Sequence, residues 1–349
     1  AVDDDGEVEV QRAVKTVGPK VGKQGIAEFT AEAEIQLRLK HKHIADLVGV
    51  CMKQKPYLVV LEYIMYGDLK KVLTTCREKD IMIRPAEMFY FCEQIADALA
   101  YISDQKIVHL DLASRNCLIH AKSNLKIADF GLARNYDPPK KKSSKHGANS
   151  PKKTSPRKSV ANNSIEGFHL VGKMKIPFLW CPPECLPRSM WDKSIKSYTP
   201  VFNEQSDIWA FGVVCWEIAT YGVQPYGSAS KLLELLQQID NGMRLTWPAG
   251  CPSKLQALGE RCHALDPADR PQFIELKEEL LAYLEPLKSR IRDVGMLLNA
   301  PLEDRLREMS TRATLIRRKS INLLKGGGDE ISSPLRGRLN SDLASLGED

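Results

Sequence analysis

Residues 109–131 constrain this chain more than any other stretch. His109-Leu110-Asp111-Leu112-Ala113-Ser114-Arg115-Asn116 is followed, one hairpin later, by Asp129-Phe130-Gly131. Short apolar runs frame the two motifs. Ile107-Val108 precedes them, Cys117-Leu118-Ile119 and Leu125-Lys126-Ile127 separate them, and Asn124 sits at the turn. Such runs between polar breaks read as short strands. Asp-Phe-Gly alone would be a weak signal. Asp-Phe-Gly at a hairpin's distance from Asp-Leu-x-x-x-Asn is a strong one.

The residue types suit one chemistry. Phosphoryl transfer asks little covalent work of a protein; it needs metal ions, a group to orient the acceptor hydroxyl, and cations on the phosphates. Asp111 is placed to accept the hydrogen bond of a substrate hydroxyl. Asn116 offers an amide oxygen to Mg²⁺, and Asp129 offers a carboxylate. Magnesium prefers hard oxygen ligands, with waters and phosphates completing its shell.

These motifs resemble those of protein kinases, and receptor-type tyrosine kinases most of all, over residues 1–287. The resemblance implies an α+β, bilobal fold: a small β-rich lobe (1–61), a hinge (62–68) and a mainly helical lobe (69–287). It implies ATP and Mg²⁺ as cofactors, with Asn116 and Asp129 as metal ligands, and protein substrates with tyrosine acceptors. Arg115 matches the tyrosine-kinase position four residues after the catalytic Asp111, while Ala113 stands where serine/threonine kinases usually place Lys. Trp180, before Pro182-Pro183-Glu184, is similar to the tryptophan of the same group. Ala13-Val14-Lys15 resembles the strand whose lysine holds the α- and β-phosphates, and Glu32 its ion-pair partner. Leu61 matches the gatekeeper, Glu62 and Ile64 the hinge positions that bind adenine, and Asp68 a further nucleotide-binding position. Ala13 and Leu118 would sandwich the base. Asp207 would bond the backbone of the 109–116 loop, and Arg270 would pair with Glu184.

Several positions depart from the family. The glycine loop that covers phosphates is absent, and the chain is expected to begin mid-strand, downstream of it. Leu110 replaces the arginine that grips a phosphorylated activation segment. Tyr136 is the one tyrosine between Asp129 and Glu184, and Phe168 stands where a phosphorylated tyrosine often lies. These losses agree with each other, so switching through that tyrosine is not expected. Gln36 replaces a large apolar residue one turn after Glu32, and a buried amide without a partner costs about 1–3 kcal/mol. Leu179 and His263 replace a basic residue and a tryptophan.

Periodicity places the remaining elements. Gln11–Val17 and Tyr57–Leu61 read as strands. Ala27–Lys40 has helical spacing, with Phe29, Ala33, Gln36 and Leu37 near one face. Met88, Phe91, Ile95, Leu99 and Ile102 recur at helical steps after Pro85, which suits a first turn. Residues 138–163 carry eight basic side chains and no acidic one, with almost no large apolar residues. Such a stretch buries too little to order itself. It reads as a disordered insert, with contact to an anionic membrane surface as the alternative. Residues 288–349 read as a largely disordered basic tail. Ser150-Pro151, Ser155-Pro156, Ser320 and Ser341 resemble phosphorylation sites.

A net charge of +6 in 349 residues does not call for nucleic acid, and no aromatics interleave the insert's lysines. Nine scattered cysteines without a CxxC pair fit reduced thiols in the cytosol rather than disulfides or zinc. The most apolar stretch, Ile208–Ala219, is too short to span a bilayer. The expected location is cytoplasmic, as the cytosolic part of a plasma-membrane receptor if a span lies upstream, with dimerisation an option in that case. Two rival readings stand: a pseudokinase scaffold that binds partners with little turnover, and a serine/threonine or dual-specificity enzyme.

Overall fold

Strands β1 (Arg12–Thr16), β2 (Leu47–Cys51) and β3 (Leu58–Glu62) pair antiparallel in the order β1-β3-β2. The register sets Ala13 opposite Leu61 and Lys15 opposite Val59. Alternation along β1 leaves Ala13 and Lys15 half-buried and turns Arg12, Val14 and Thr16 outward, as the two-residue period of a strand requires. The computed structural model describes residues 11–17, 21–53, 55–136, 177–186, 202–227, 235, 237–239 and 241–298. The basic insert 138–163, Phe168 and the tail from 299 lie outside the described residues. Contacts gather the described residues other than 80–82 into one unit.

Helix α1 (Lys23–Arg38) starts four residues before the expected Ala27. Its buried residues are Phe29, Glu32, Ala33, Ile35 and Gln36, a helical stripe widened by Ile35. Leu37, expected on that face, is 51% exposed because one residue past Gln36 lies about a quarter-turn round the helix. Gln36 is 1% exposed, and its Nε2 donates to the Ala45 carbonyl at 3.2 Å. The buried amide is therefore satisfied by backbone, and no loosening of α1 need follow from it.

Helix α2 (Leu69–Glu78) buries Leu69, Val72, Leu73 and Cys76. Asp68 caps it: Oδ1 accepts from the Lys71 N–H at 2.8 Å. Helix α3 (Pro85–Asp104) has Pro at its first turn and is buried on nearly every side, which makes it the centre of the helical part. Helix α4 (Glu204–Ala219) is likewise enclosed, and α5 (Ser253–Cys262) and α6 (Phe273–Leu284) pack on these two. Gly212 in α4 allows close approach, since a Cβ there would lie 2.7 Å from Cys262 Cβ and 2.8 Å from His263 Nε2. Arg270 is buried over the Trp209 ring. It donates to both Glu184 oxygens, at 2.6 and 3.1 Å, so removing Glu184 would strand a buried cation at a cost of about 3–5 kcal/mol.

After α6 the chain does not lose structure at residue 288. A short helix, α7 (Val294–Leu298), buries Val294 and Leu297. Among the described residues no helix is long and apolar enough to cross a membrane.

Candidate active site

Four two- and three-residue strands hold the 109–131 region: β4 (Ile107–Val108) pairs with β7 (Arg134–Asn135), and β5 (Cys117–Ile119) with β6 (Leu125–Ile127). The β5–β6 hairpin is the one expected from the apolar runs. His109 is fully buried between them and stacks obliquely on Phe130 at 5.0 Å. Its Nε2 lies 3.2 Å from the Ala128 carbonyl. A carbonyl can only accept, so Nε2 carries the proton and Nδ1 is left to accept from the Asp111 N–H at 3.3 Å. Burial lowers the His109 pKa, which keeps this neutral tautomer.

The loop backbone is pinned from beneath. Asp207, 3% exposed, accepts from the N–H groups of His109 and Leu110 at 2.6 and 3.0 Å. Burial pushes its pKa up to about 7, against the pull of those two N–H groups. Glu217, nearly three turns further along α4, does similar work. It accepts from the Ser114 N–H at 3.0 Å, from Ser114 Oγ at 2.7 Å and from Trp180 Nε1 at 3.0 Å. Sequence reasoning missed Glu217 and Ser114. A charge inside the apolar run 208–219 was the available signal.

Asp111 is half-buried. Arg115 bonds its Oδ1 and lies over the Trp180 ring, 4.5 Å from the centroid. Asn116 Nδ2 donates to Asp111 Oδ2 at 2.9 Å and to its carbonyl at 2.6 Å. Each carboxylate oxygen can accept more than one hydrogen bond, so Asp111 is held in place and still able to receive a hydroxyl. With Nδ2 spent on Asp111, the amide oxygen of Asn116 is the atom left to face a cation.

Lys15 gathers the other acids. Its Nζ is 2.6 and 2.9 Å from the Glu32 oxygens and 3.1 Å from Asp129 Oδ1. Burial lowers the Lys15 pKa, but the hydrogen bond and charge of Glu32, with those of Asp129, outweigh it and leave it raised. Burial raises the Asp129 carboxyl, and the Lys15 charge and hydrogen bond bring it below its ordinary value. A Cβ on Gly131 would lie 3.3 Å from Asp129 Oδ1. A cleft of about 330 Å³ is lined by Glu32, Asp111, Asp129, Gly131, Leu132 and Phe29. Glu32, Asp111 and Asp129 thus line one opening, with Lys15 bonded to two of them and Arg115 and Asn116 to the third.

The expected adenine residues come from separate elements. Leu118 packs against a buried cluster of Ala45, Ile64 and Ala128. Ala13 and Leu61 face each other across β1 and β3, on a separate sheet. The Glu62 carboxylate is bound to Lys126 Nζ at 2.7 Å and to the Asp46 N–H at 2.8 Å, and its own N–H donates to the Asp46 carbonyl at 3.0 Å, which leaves its carbonyl as the ligand-facing candidate. Asp68 has one oxygen engaged in its cap and one left over.

The donor set fits magnesium brought with a phosphate ligand. Among the described residues no three His, Cys, Asp or Glu side chains form a metal cage. Magnesium usually takes one or two protein carboxylates and completes its octahedron with waters and phosphates. Asp129 and the Asn116 amide oxygen supply such a partial set.

A model of the protein tyrosine and serine/threonine kinase family matches residues 1–167 and 164–280. Tyrosine-protein kinase ABL2 of Homo sapiens is 32% identical over 263 residues, 75% of this chain and 19% of that protein. Tyrosine-protein kinase transforming protein ros of UR2 avian sarcoma virus is 32% identical over 285 residues, 79% of this chain and 61% of the relative. Inactive tyrosine-protein kinase 7 of Homo sapiens is 31% identical over 283 residues, 79% of this chain and 23% of that protein. The chain therefore spans less than two thirds of each relative.

Proposed function

This chain belongs to the protein tyrosine and serine/threonine kinase family, and from that premise we propose that it transfers the γ-phosphate of ATP to protein tyrosine. One observation carries the reading: a single cation, Lys15, bonds both Glu32 and Asp129, which line one cleft together with Asp111. The fold is then the two-lobed one of the family, with residues 1–61 and 69–287 on either side of the 62–68 hinge.

The roles follow from the contacts. Lys15, held by Glu32, offers its ammonium to the phosphates of ATP. Asp111, fixed by Arg115 and Asn116, accepts the hydrogen bond of the tyrosine hydroxyl and orients its oxygen towards phosphorus. Asp129 and Asn116 would hold Mg²⁺, which when bound supplies positive charge to the phosphate oxygens. Ala13, Leu61, Ile64 and Leu118 offer apolar surface to adenine, and the 62–64 backbone its hydrogen bonds. Arg115 over Trp180 supports tyrosine as the acceptor, since both match tyrosine-kinase positions. The similarity to receptor-type kinases supports a signalling role on the cytoplasmic side of the plasma membrane. The insert's eight lysines and arginines support contact with anionic lipid there.

A second reading is a scaffold with little turnover. Leu110 favours it, as does the similarity to a relative named inactive. Mg-ATP with mixed tyrosine and serine peptides separates the readings when the chain is compared with Asp111→Asn. Phosphotyrosine well above the variant is the expected result. Phosphate on serine alone, or none above the variant, overturns the proposal.

A further inference from the structure

The segment after α6 turns back across the helical part and is anchored at its first residues. Arg292 Nε donates to Glu87 Oε1 at 2.7 Å, and its Nη2 to Oε2 at 3.1 Å. Glu87 is 1% exposed; its Oε2 also accepts from the Arg84 N–H at 2.7 Å, closing the first turn of α3. Ser123 Oγ donates to the Arg292 carbonyl at 3.0 Å. Val294 and Leu297 are then buried as α7 packs on α2 and the turn 121–123.

The next contact is tight. A Cβ on Gly295 would lie 2.5 Å from Tyr66 Oη and 3.1 Å from Tyr66 Cζ. The backbone at Gly295 rests directly on the phenol, and no side chain fits between them.

The two elements so held are those that border Leu118. Ser123 lies at the turn of the β5–β6 hairpin, and β5 carries Leu118. The Tyr66 N–H donates to the Ile119 carbonyl at 3.1 Å, and the Ile119 N–H to the Gly67 carbonyl at 2.8 Å. The 62–68 segment and β5 are thus stitched together on one side and pressed by residues 291–298 on the other.

We infer that residues 291–298 form a strap whose seat on Tyr66 and Ser123 sets the position of the 62–68 segment relative to Leu118, and through it the affinity for adenine nucleotide. The inference rests on the nucleotide site proposed above. Gly295 and Arg292 are positioning residues, since neither belongs to that site.

The test is Gly295→Ala in the full chain, with Mg-ATP affinity measured by calorimetry and the melting temperature measured without nucleotide. The added methyl displaces Tyr66, so the dissociation constant should rise about five-fold, with turnover at saturating ATP little changed. Tyr66→Phe in the same chain removes the clashing oxygen and should recover much of the affinity. Arg292→Lys keeps the charge at Glu87 but loses the two-pronged grip, and should weaken binding in the same direction. If Gly295→Ala does not fold, Arg292→Lys decides. Wild-type affinity in the folded variants, whatever their melting temperatures, overturns the strap. No binding by the unmodified chain overturns the nucleotide site itself, and the strap with it.

Discussion

Leu110 donates its backbone N–H to Asp207 Oδ1 at 3.0 Å while holding a φ of +65°. A bulky residue in the left-handed region is strained by about 1–3 kcal/mol and persists only where its surroundings over-determine it. Asp207 does so here, because its second oxygen takes the His109 N–H at 2.6 Å. Asp207→Asn keeps the shape but sets an NH₂ against one of the two N–H groups. Stability should fall by about 1–3 kcal/mol, measured by urea denaturation. The loop that orients Asp111 should relax with it, and turnover should fall at least about ten-fold with the KM for ATP little moved.

The Leu110 side chain predicts how the activation segment is held. With Phe178 it packs against Cys181, Cys185, Leu186 and Phe202, so apolar contact joins the 109–116 loop to the segment before α4. A phosphate–arginine pair would serve that purpose elsewhere in the family. Leu110→Arg pushes a guanidinium towards that cluster, and should cost about 1–3 kcal/mol without making activity depend on phosphorylation. Phe168→Tyr should likewise leave activity indifferent to autophosphorylation. Both are read by kinase assays before and after phosphatase treatment. A large gain on autophosphorylation in Phe168→Tyr would show that the apolar contact does not replace the phosphate switch.

Contiguous chemistry was legible in the sequence; contacts made by backbone or across long separations were not. The grouping of Asp111, Asn116 and Asp129 was readable because one hairpin joins the motifs. Lys15 and Glu32 were readable through family spacing, and the pairs Asp207–Leu110 and Arg270–Glu184 likewise. Gln36 was not, since its partner is the carbonyl of Ala45, an atom that no side-chain pattern records. Asp68 matches a ligand position by family spacing, and its capping of α2 through the Lys71 N–H is a second role that this spacing does not state. The helix it caps shows the stripe Leu69-Val72-Leu73-Cys76 in plain sight. Arg292 and Glu87 are 205 residues apart in the chain, and a polar tail gives no warning that one of its arginines grips a buried carboxylate. Leu37 failed for a geometric reason: apolar character alone does not say which side of Gln36 faces inward.

His43 and His263, two of the three buried histidines among the described residues, predict part of the response to acid. Burial brings His43 down to about 4, against the pull of the Leu125 carbonyl, and His263 down to about 3. In the unfolded chain both take a proton near pH 6.5. Between that value and their folded values the unfolded state binds more protons, so stability falls as pH falls. The loss is about 1.4 kcal/mol per pH unit for each histidine well below pH 6.5. Charged neighbours on other elements, Asp97 and Lys42 at His43 and Arg270 and Arg244 at His263, act in opposite senses or disfavour the proton and do not reverse the sign. Over the same range Asp207, pushed up to about 7 by burial, acts in the opposite sense, and buried neutral His109 acts in the same sense as these two, so urea denaturation at stations from about pH 7.5 to pH 5 reads a net slope. His43→Gln with His263→Gln should lose less stability as the pH falls than the unmodified chain, since glutamine takes no proton. Equal slopes in the two chains would place the acid sensitivity elsewhere.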